Sequence, residues 1–142
     1  MSTVILRWLR LLAVFLASLA AVLIHPRALP AQSNLEIPAT DEGLPGVGPI
    51  RRYDWFRDLW KTRRSDWVKQ RDAQQGAVVF LGDSITQGFG DDFRKAFPGL
   101  KLANRGISGD TTRGMLVRLK DDVLVLKPKA VVILAEIGRA HV

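Results

Sequence analysis

Residues 77–86 read Ala-Val-Val-Phe-Leu-Gly-Asp-Ser-Ile-Thr, and this stretch decides the fold. Five apolar residues run without polar alternation into Gly-Asp-Ser. A short run of this kind, rich in β-branched residues, is typical of a strand buried on both faces of a parallel sheet. Open α/β sheets bind their ligands at the carboxyl ends of the strands. The sequence therefore predicts Ser84 at the edge of the sheet where such sites lie.

From residue 76 onward, short apolar runs alternate with helical patterns. Strands are predicted at residues 77–81, 100–103 and 130–135, and helices at residues 91–97 and 112–126. A proline near the end of each helical pattern, Pro98 or Pro128, stops the helix. Strands that alternate with helices imply right-handed crossovers and parallel pairing. We therefore expect an α/β fold with a parallel sheet.

Two longer helices are predicted to be amphipathic. In residues 53–73, the apolar residues near helical spacing are Tyr53, Phe56, Trp60, Trp67 and Val68. In residues 112–126, the expected buried stripe is Leu116, Leu119, Val123 and Leu126. The tryptophans of the first helix, which include Trp55, allow a sugar-binding platform as an alternative. The spacing favours a helix that covers one side of the sheet.

Charge and cysteine content limit which partners the protein can bind and which cross-links can stabilise it. The 142 residues carry a formal net charge of +7, of which residues 1–31 contribute three arginines and no acidic residue. The remaining basic excess clusters at residues 51–64, where Asp54 and Asp58 are interleaved with it. This pattern favours a solvated helix face over a nucleic-acid interface. Cysteine is absent, which excludes disulfides and thiolate metal sites.

The N-terminal segment has the layout of an export signal. Arg7 and Arg10 precede an uncharged apolar run over residues 11–24. A candidate cleavage site with small residues follows and ends at Ala31. This layout is typical of a secretory signal peptide. A membrane anchor over residues 4–24 is the alternative, since that stretch approaches the roughly 20 residues that span a bilayer. Residues 1–31 are thus predicted as signal peptide or anchor, residues 32–52 as a linker or extended surface segment, and residues 53–135 as the domain.

A second motif strengthens the first. Residues 104–112 read Asn-Arg-Gly-Ile-Ser-Gly-Asp-Thr-Thr, which places Gly109 twenty-five residues after Ser84. That separation fits one βαβ unit, so Gly109 is expected at the end of the neighbouring strand. Asp110 or Thr111 can cap the helix that follows. Phosphate-binding loops fit poorly, because no Gly-Lys-Ser/Thr and no Gly-x-Gly-x-x-Gly occurs.

Together the two motifs resemble the first two blocks of the SGNH hydrolase (GDSL-type esterase/lipase) family, whose fold is flavodoxin-like. The resemblance covers about residues 77–135, the N-terminal part of such a domain. It therefore implies an incomplete three-layer α/β/α parallel sheet that is truncated after the third strand. It implies that Ser84 is the nucleophile and an oxyanion-hole N–H donor, and that Gly109 supplies another such N–H. It also implies supporting roles for Asp83, Asn104 and Asp110 in the two loops.

The chain departs from the family pattern after the third strand. Gly138 stands where the family has an oxyanion-hole Asn, and no Asp-x-x-His base motif follows. The two histidines are His25, in the export segment, and His141, one residue from the end. Residues 136–142 read as the translation of a common short-read sequencing adapter, so we interpret them as an artefactual tail.

The resemblance implies an exported serine esterase, periplasmic or secreted, that hydrolyses acyl or acetyl esters. The chain as given is expected to be an inactive fragment, because it lacks the oxyanion-hole Asn and the Asp-x-x-His base. The variant motifs are similar to the branch that includes platelet-activating-factor acetylhydrolase subunits and lysophospholipase- or thioesterase-like members, so the substrate stays open. A carbohydrate O-acetylesterase is one alternative, and a non-catalytic, membrane-tethered or carbohydrate-binding remnant is another. The expected partner is a small-molecule or polysaccharide ester, with no metal or organic cofactor and no nucleic acid. Contact with a membrane is expected only through the N-terminal segment.

Overall fold

A computed structural model describes residues 34–90 and 92–135 of the chain. Their helices are α1 (Asp54–Gln70), α2 (Ser84–Gly88), α3 (Asp92–Ala96) and α4 (Thr112–Asp122), with a 3₁₀ turn over Leu124–Leu126. Their strands are β1 (Val78–Gly82), β2 (Leu102–Gly106) and β3 (Ala130–Leu134). The predicted signal segment and the predicted artefactual tail lie outside the described residues.

The three strands form one parallel sheet in the order β2-β1-β3. This confirms the predicted α/β class and its incomplete parallel sheet. Gly82 of β1 is in register with Gly106 of β2 and with Leu134 of β3. The carboxyl ends of the strands therefore lie at one level, with β1 in the centre.

Two apolar clusters hold the elements together. In the first, Val79, Leu81 and Ala103 of the sheet pack with Met115 of α4 and with Val123 and Leu126 beyond it. In the second, Phe56, Trp60 and Trp67 of α1 pack with Ile107 and with Ile37 and Ile50 of the segment before α1. Trp60 is completely buried. The helix predicted over residues 53–73 is thus an amphipathic covering helix, and Trp60 and Trp67 belong to its core face.

Several predicted boundaries are wrong. The strand expected at residues 100–103 lies over Leu102–Gly106, because residues through Gly106 continue the ladder with β1. The helix expected at residues 112–126 ends at Asp122, and a 3₁₀ turn follows it. The short helix α2, directly after β1, was not predicted. Its five residues are too few to show an apolar period in the sequence.

The predicted apolar stripe of α4 is wrong in part. Leu116 is exposed, whereas Met115, Arg118 and Asp122 face the interior. The solvated-face interpretation of the basic cluster also needs correction at Arg64. That side chain is buried on α1 and donates to both carboxylate oxygens of Asp122, at 3.0 and 2.8 Å. Buried charges are paired in proteins, and pairing between distant helices leaves no periodic signal in the sequence.

Residues 34–52 are the described part of the predicted linker. They contain no helix or strand, but they pack against the rest of the domain. Ile37 and Ile50 are buried in the second cluster. The Asp41 carboxylate accepts hydrogen bonds from the guanidinium groups of Arg52 and Arg113. The hydrogen bond from Arg52 lowers the pKa of Asp41 below its usual value of 3.8. The segment is therefore held by apolar anchors and by a bridging carboxylate.

β3 is an apolar strand with little cover. Val131, Val132 and Ile133 are all exposed. Parallel strands are normally covered on both faces, and an uncovered apolar edge is a template for association.

Among residues 34–90 and 92–135, no helix is long and apolar enough to cross a membrane.

We expect Ile133→Lys to reduce self-association of the protein at a given concentration, measured by size-exclusion chromatography with light scattering. Ile133 is 61% exposed, and a charge on an edge strand blocks edge-to-edge pairing. The matched control is Leu124→Lys, which adds the same charge at a 52% exposed leucine outside the sheet. Equal effects of the two variants, or a wild-type protein that is monomeric with a sharp cooperative melt, would contradict the expectation.

Candidate functional site

Ser84 is exposed at the start of α2, directly beyond the carboxyl end of β1. The residue before it, Asp83, caps this helix, since its carboxylate accepts a hydrogen bond from Ile85 N at 3.0 Å. An Asp in this position stabilises the first turn of a helix by satisfying a free backbone N–H. Asp83 thereby fixes the backbone that carries the Ser84 hydroxyl, while that hydroxyl stays accessible to solvent.

Two glycines allow α2 to lie across the ends of the strands. A Cβ on Gly82 would overlap the Thr86 hydroxyl and would lie 2.7 Å from the carbonyl oxygen of Leu134. A Cβ on Gly106 would overlap the backbone nitrogen of Gln87. Close approach of one backbone to another requires glycine. The packing of α2 on β1 and β2 thus depends on Gly82 and Gly106 together.

The turn that carries Gly109 follows β2 and contacts α2. Asp110 N donates to Ile107 O at 3.0 Å to close the turn, and Gly109 has a φ of 83°. Ser108 N donates to the Gln87 side-chain oxygen at 2.7 Å. This hydrogen bond joins the Gly109 turn to the helix that begins with Ser84. The two segments can meet because β1 and β2 end at the same level. The structure therefore brings both motifs to one edge of the sheet.

Asn104 connects β2 to α2. Its side-chain amide donates to Thr86 O at 2.6 Å, and its side-chain oxygen accepts from Gly106 N at 2.9 Å. The same oxygen accepts from the Arg63 guanidinium at 3.3 Å, and Arg63 also donates to Gly106 O at 3.1 Å. Asn104 therefore supports the position of α2 as well as its own strand end.

Asp110 lies in a buried ion pair with Arg118, a residue that sequence reasoning did not single out. The Asp110 carboxylate accepts from Arg118 Nε at 2.8 Å and from Thr111 N at 2.8 Å. Burial raises the pKa of Asp110 above 3.8, and the Arg118 guanidinium partly offsets that rise. The cap of α4 is Thr111, whose hydroxyl accepts from Gly114 N at 3.0 Å.

Arg118 joins the two strand ends to the Gly109 turn. Its Nη2 donates to Gly82 O at 3.2 Å and to Arg105 O at 2.9 Å, while its Nε donates to Asp110. Arg118 is completely buried. A charged donor with several fixed acceptors gives stronger and more directional bonds than a neutral one. Arg118 therefore acts as a positioning residue for this edge of the sheet.

The ionic network extends toward α1. Arg105 donates to Asp122 O at 2.8 Å and to the Gln74 side chain at 2.6 Å, and burial lowers the pKa of Arg105 to about 10. The guanidinium groups of Arg105 and Arg118 lie 5.0 and 5.4 Å from the ring centroid of Trp67. Because Trp67 is buried and has guanidinium groups close to its ring, it is unavailable to a sugar and is excluded from a sugar-binding platform. The i,i+4 spacing of Arg118 and Asp122 was the one sequence signal for this network.

The described residues contain neither a histidine base nor a cluster of metal-binding side chains. Neither histidine lies among them, so they contain no histidine base for Ser84. Residues 34–90 and 92–135 also contain no group of three histidine, cysteine, aspartate or glutamate side chains that could hold a metal ion.

The chain is similar to the platelet-activating factor acetylhydrolase IB subunit alpha2 of Rattus norvegicus, Bos taurus and Homo sapiens. Each is 37% identical over 79 residues, which are 54% of this chain and 34% of the relative. The chain thus spans about a third of the length of these relatives. No family model matches it.

These findings correct the family assignment made from the motifs. Membership of the SGNH hydrolase family is not supported, because no family model matches and the similarity found is to acetylhydrolase subunits. The coarser conclusion stands: part of the chain is related to a protein that is named as a hydrolase.

We expect Gly106→Ala to destabilise the protein by about 1–3 kcal/mol, the usual cost of overpacking a filled site. The added methyl group would overlap the backbone of Gln87, so α2 must move away from β2. Gly88→Ala is the matched control, since a Cβ there has no atom within 4 Å. Ala is also a better helix former than Gly. Urea unfolding of both variants measures the difference, and equal midpoints would show that α2 does not depend on close approach to Gly106.

Proposed function

We propose that this protein is a serine ester hydrolase in which Ser84 is the nucleophile. The observation that carries the proposal is the position of Ser84, exposed at the carboxyl end of the central strand beside the Gly109 turn of the neighbouring strand. Open α/β sheets bind ligands at such a point. The similarity to acetylhydrolase subunits supports the same class of reaction.

In this proposal the Ser84 oxygen attacks the carbonyl carbon of the ester and transfers its proton to a general base. The base lies outside residues 34–90 and 92–135, which contain no histidine. The tetrahedral intermediate carries a negative oxygen, and backbone N–H donors stabilise such an oxyanion strongly in a site of low dielectric. Collapse of the intermediate expels the alcohol and leaves an acyl-serine. Water then attacks this ester and releases the acid and free Ser84.

The N–H groups of Ser84 and Gly109 are the proposed oxyanion donors. Asp83 fixes the first of them by capping α2, and the Asp110–Arg118 pair fixes the second by holding the turn. Asn104 supports both, because it bonds to Thr86 O in α2 and to Gly106 N at the end of β2. The donors are thus held by hydrogen bonds before any substrate arrives, as electrostatic catalysis requires.

We further propose that the substrate is an acetyl or other short acyl ester and that the protein is exported. The printed name of the relatives, acetylhydrolase, supports the acetyl group. The basic and apolar pattern of residues 1–31 supports export.

Hydrolysis of 4-nitrophenyl acetate tests the nucleophile in protein that contains the general base as well as residues 34–135. We expect Ser84→Ala to lower kcat by several orders of magnitude, as removal of a nucleophilic serine does. Ser65→Ala, a serine of α1, is the control and should retain activity. Turnover that survives in Ser84→Ala would exclude Ser84 as nucleophile. A wild-type protein without turnover would favour the non-catalytic alternative.

Gly109→Ala tests the second oxyanion donor. A Cβ on Gly109 would lie 2.8 Å from Trp55 Cη2, so the turn and its N–H must shift. Loss of one oxyanion donor costs about 10²–10³-fold in kcat. Gly99→Ala is the control for backbone strain alone, because Gly99 has a φ of 82° and no neighbour within 4 Å of a Cβ. If the two variants melt alike and lose activity alike, Gly109 is not a donor.

A further inference from the structure

The segment before α1 lies against the Gly109 turn. A Cβ on Gly109 would be 2.8 Å from Trp55 Cη2 and 3.3 Å from Arg51 Nη1. Since Gly109 has no side chain, the indole of Trp55 and the guanidinium of Arg51 both come close to its Cα. One aromatic group and one cationic group therefore border the turn that carries the proposed oxyanion donor.

Arg51 differs from the other arginines around this segment. Arg52 and Arg113 both bond to Asp41, and Arg57 donates to Arg52 O at 2.8 Å. Within residues 34–90 and 92–135, the half-buried Arg51 side chain forms no hydrogen bond or ion pair. A guanidinium offers a planar fork of donors that fits a carboxylate or phosphate. Arg51 is therefore a cation available to an anionic ligand.

The backbone on both sides of Arg51 is fixed. Ile50 is buried in the second apolar cluster, and Pro49 O accepts a hydrogen bond from the Thr111 hydroxyl at 2.8 Å. After Arg51, the Arg52 guanidinium donates to Pro38 O at 2.8 Å. A cation on a fixed backbone loses less conformational entropy when it binds a ligand.

An exposed aromatic surface lies beside Arg51. The rings of Tyr53 and Trp55 stack at a centroid distance of 6.4 Å and an interplanar angle of 13°. They are 65% and 53% exposed, whereas Trp60 and Trp67 are buried. Exposed aromatic rings next to a polar site give a ligand apolar contact area at little entropic cost.

We infer that Arg51 recognises an anionic group on the ester substrate, while the part of the substrate between that group and the ester packs on Trp55. The inference rests on the proposed function and narrows it to esters that carry a negative charge. The shared chemistry is a carboxylate or a phosphate, and the experiment uses a carboxylate first.

Two aryl acetates of the same shape test the inference, 4-acetoxybenzoate and the neutral 4-acetoxybenzamide. We expect wild-type kcat/KM to favour the benzoate by about 10- to 100-fold, the range for a hydrogen bond to a charged group. Arg51→Gln should abolish this preference. Arg71→Gln removes the same charge beyond the opposite end of α1 and should keep the preference. Equal loss in both variants would show a general effect of net charge and overturn the inference.

Binding without hydrolysis separates this inference from the proposed function. In Ser84→Ala protein, titration with 4-hydroxybenzoate should shift the NMR signals of the Gly109 amide and the Trp55 indole, and 4-hydroxybenzamide should not. Adding Arg51→Gln should remove these shifts. If such binding is found and the wild-type protein hydrolyses no ester, the anion site is upheld and the esterase proposal is overturned. Equal shifts with and without Arg51 would overturn the anion site. Phenyl phosphate in the same titration reports whether phosphate binds more tightly than carboxylate.

Discussion

The buried guanidinium of Arg118 is the interaction on which the rest of this edge of the structure depends. It bonds to the Asp110 carboxylate and to the carbonyl oxygens of Gly82 and Arg105. Removing two charges from water costs several kcal/mol per ion, and good geometry is needed to offset that cost. Because the bonds of Arg118 form only when β1, β2 and the Gly109 turn are correctly placed, the ion pair couples those three elements.

The same edge depends on the absence of side chains at Gly82 and Gly106. α2 fits against the strand ends only because neither glycine has a Cβ. Asn104 adds hydrogen bonds to Thr86 O of α2 and to the Arg63 guanidinium. The position of α2 therefore depends both on these hydrogen bonds and on the space left by the two glycines. The result is an exposed serine on a backbone that is held by hydrogen bonds on several sides.

This arrangement explains how a surface loop can be preorganised. Exposed loops are usually mobile, yet catalytic donors must be aligned before reaction. Here the Gly109 turn is held by the Asp110–Arg118 ion pair and by the hydrogen bond from Ser108 N to Gln87, and Trp55 and Arg51 lie close to Gly109. Of the last two groups, Trp55 is exposed and Arg51 is half-buried, and they differ in chemistry. They give the proposed site an aromatic wall and a positive charge, which would distinguish among esters with the same acyl group.

The local sequence determined the class of fold, the strand before Ser84 and the spacing between the two motifs. These features come from apolar runs, helix stops and turn residues, which act over fewer than about twenty neighbouring positions. The short helix α2 was missed because it is set by packing on Gly82 and Gly106 and not by its own period. The apolar stripe expected for α4 was wrong in part, because Arg118 is buried on the inward face of that helix.

Only the tertiary structure decided which charged residues are buried and what surrounds the Gly109 turn. Arg64 and Asp122 are 58 positions apart, and Arg63 reaches Asn104 across 41 positions. No periodic pattern encodes such pairs, since each partner alone resembles an ordinary surface residue. The close approach of Arg51 and Trp55 to Gly109 is likewise set by tertiary packing and not by a local sequence pattern. It follows from the packing of a buried Ile50 and from the bond between Thr111 and Pro49, which exist only when the chain is folded.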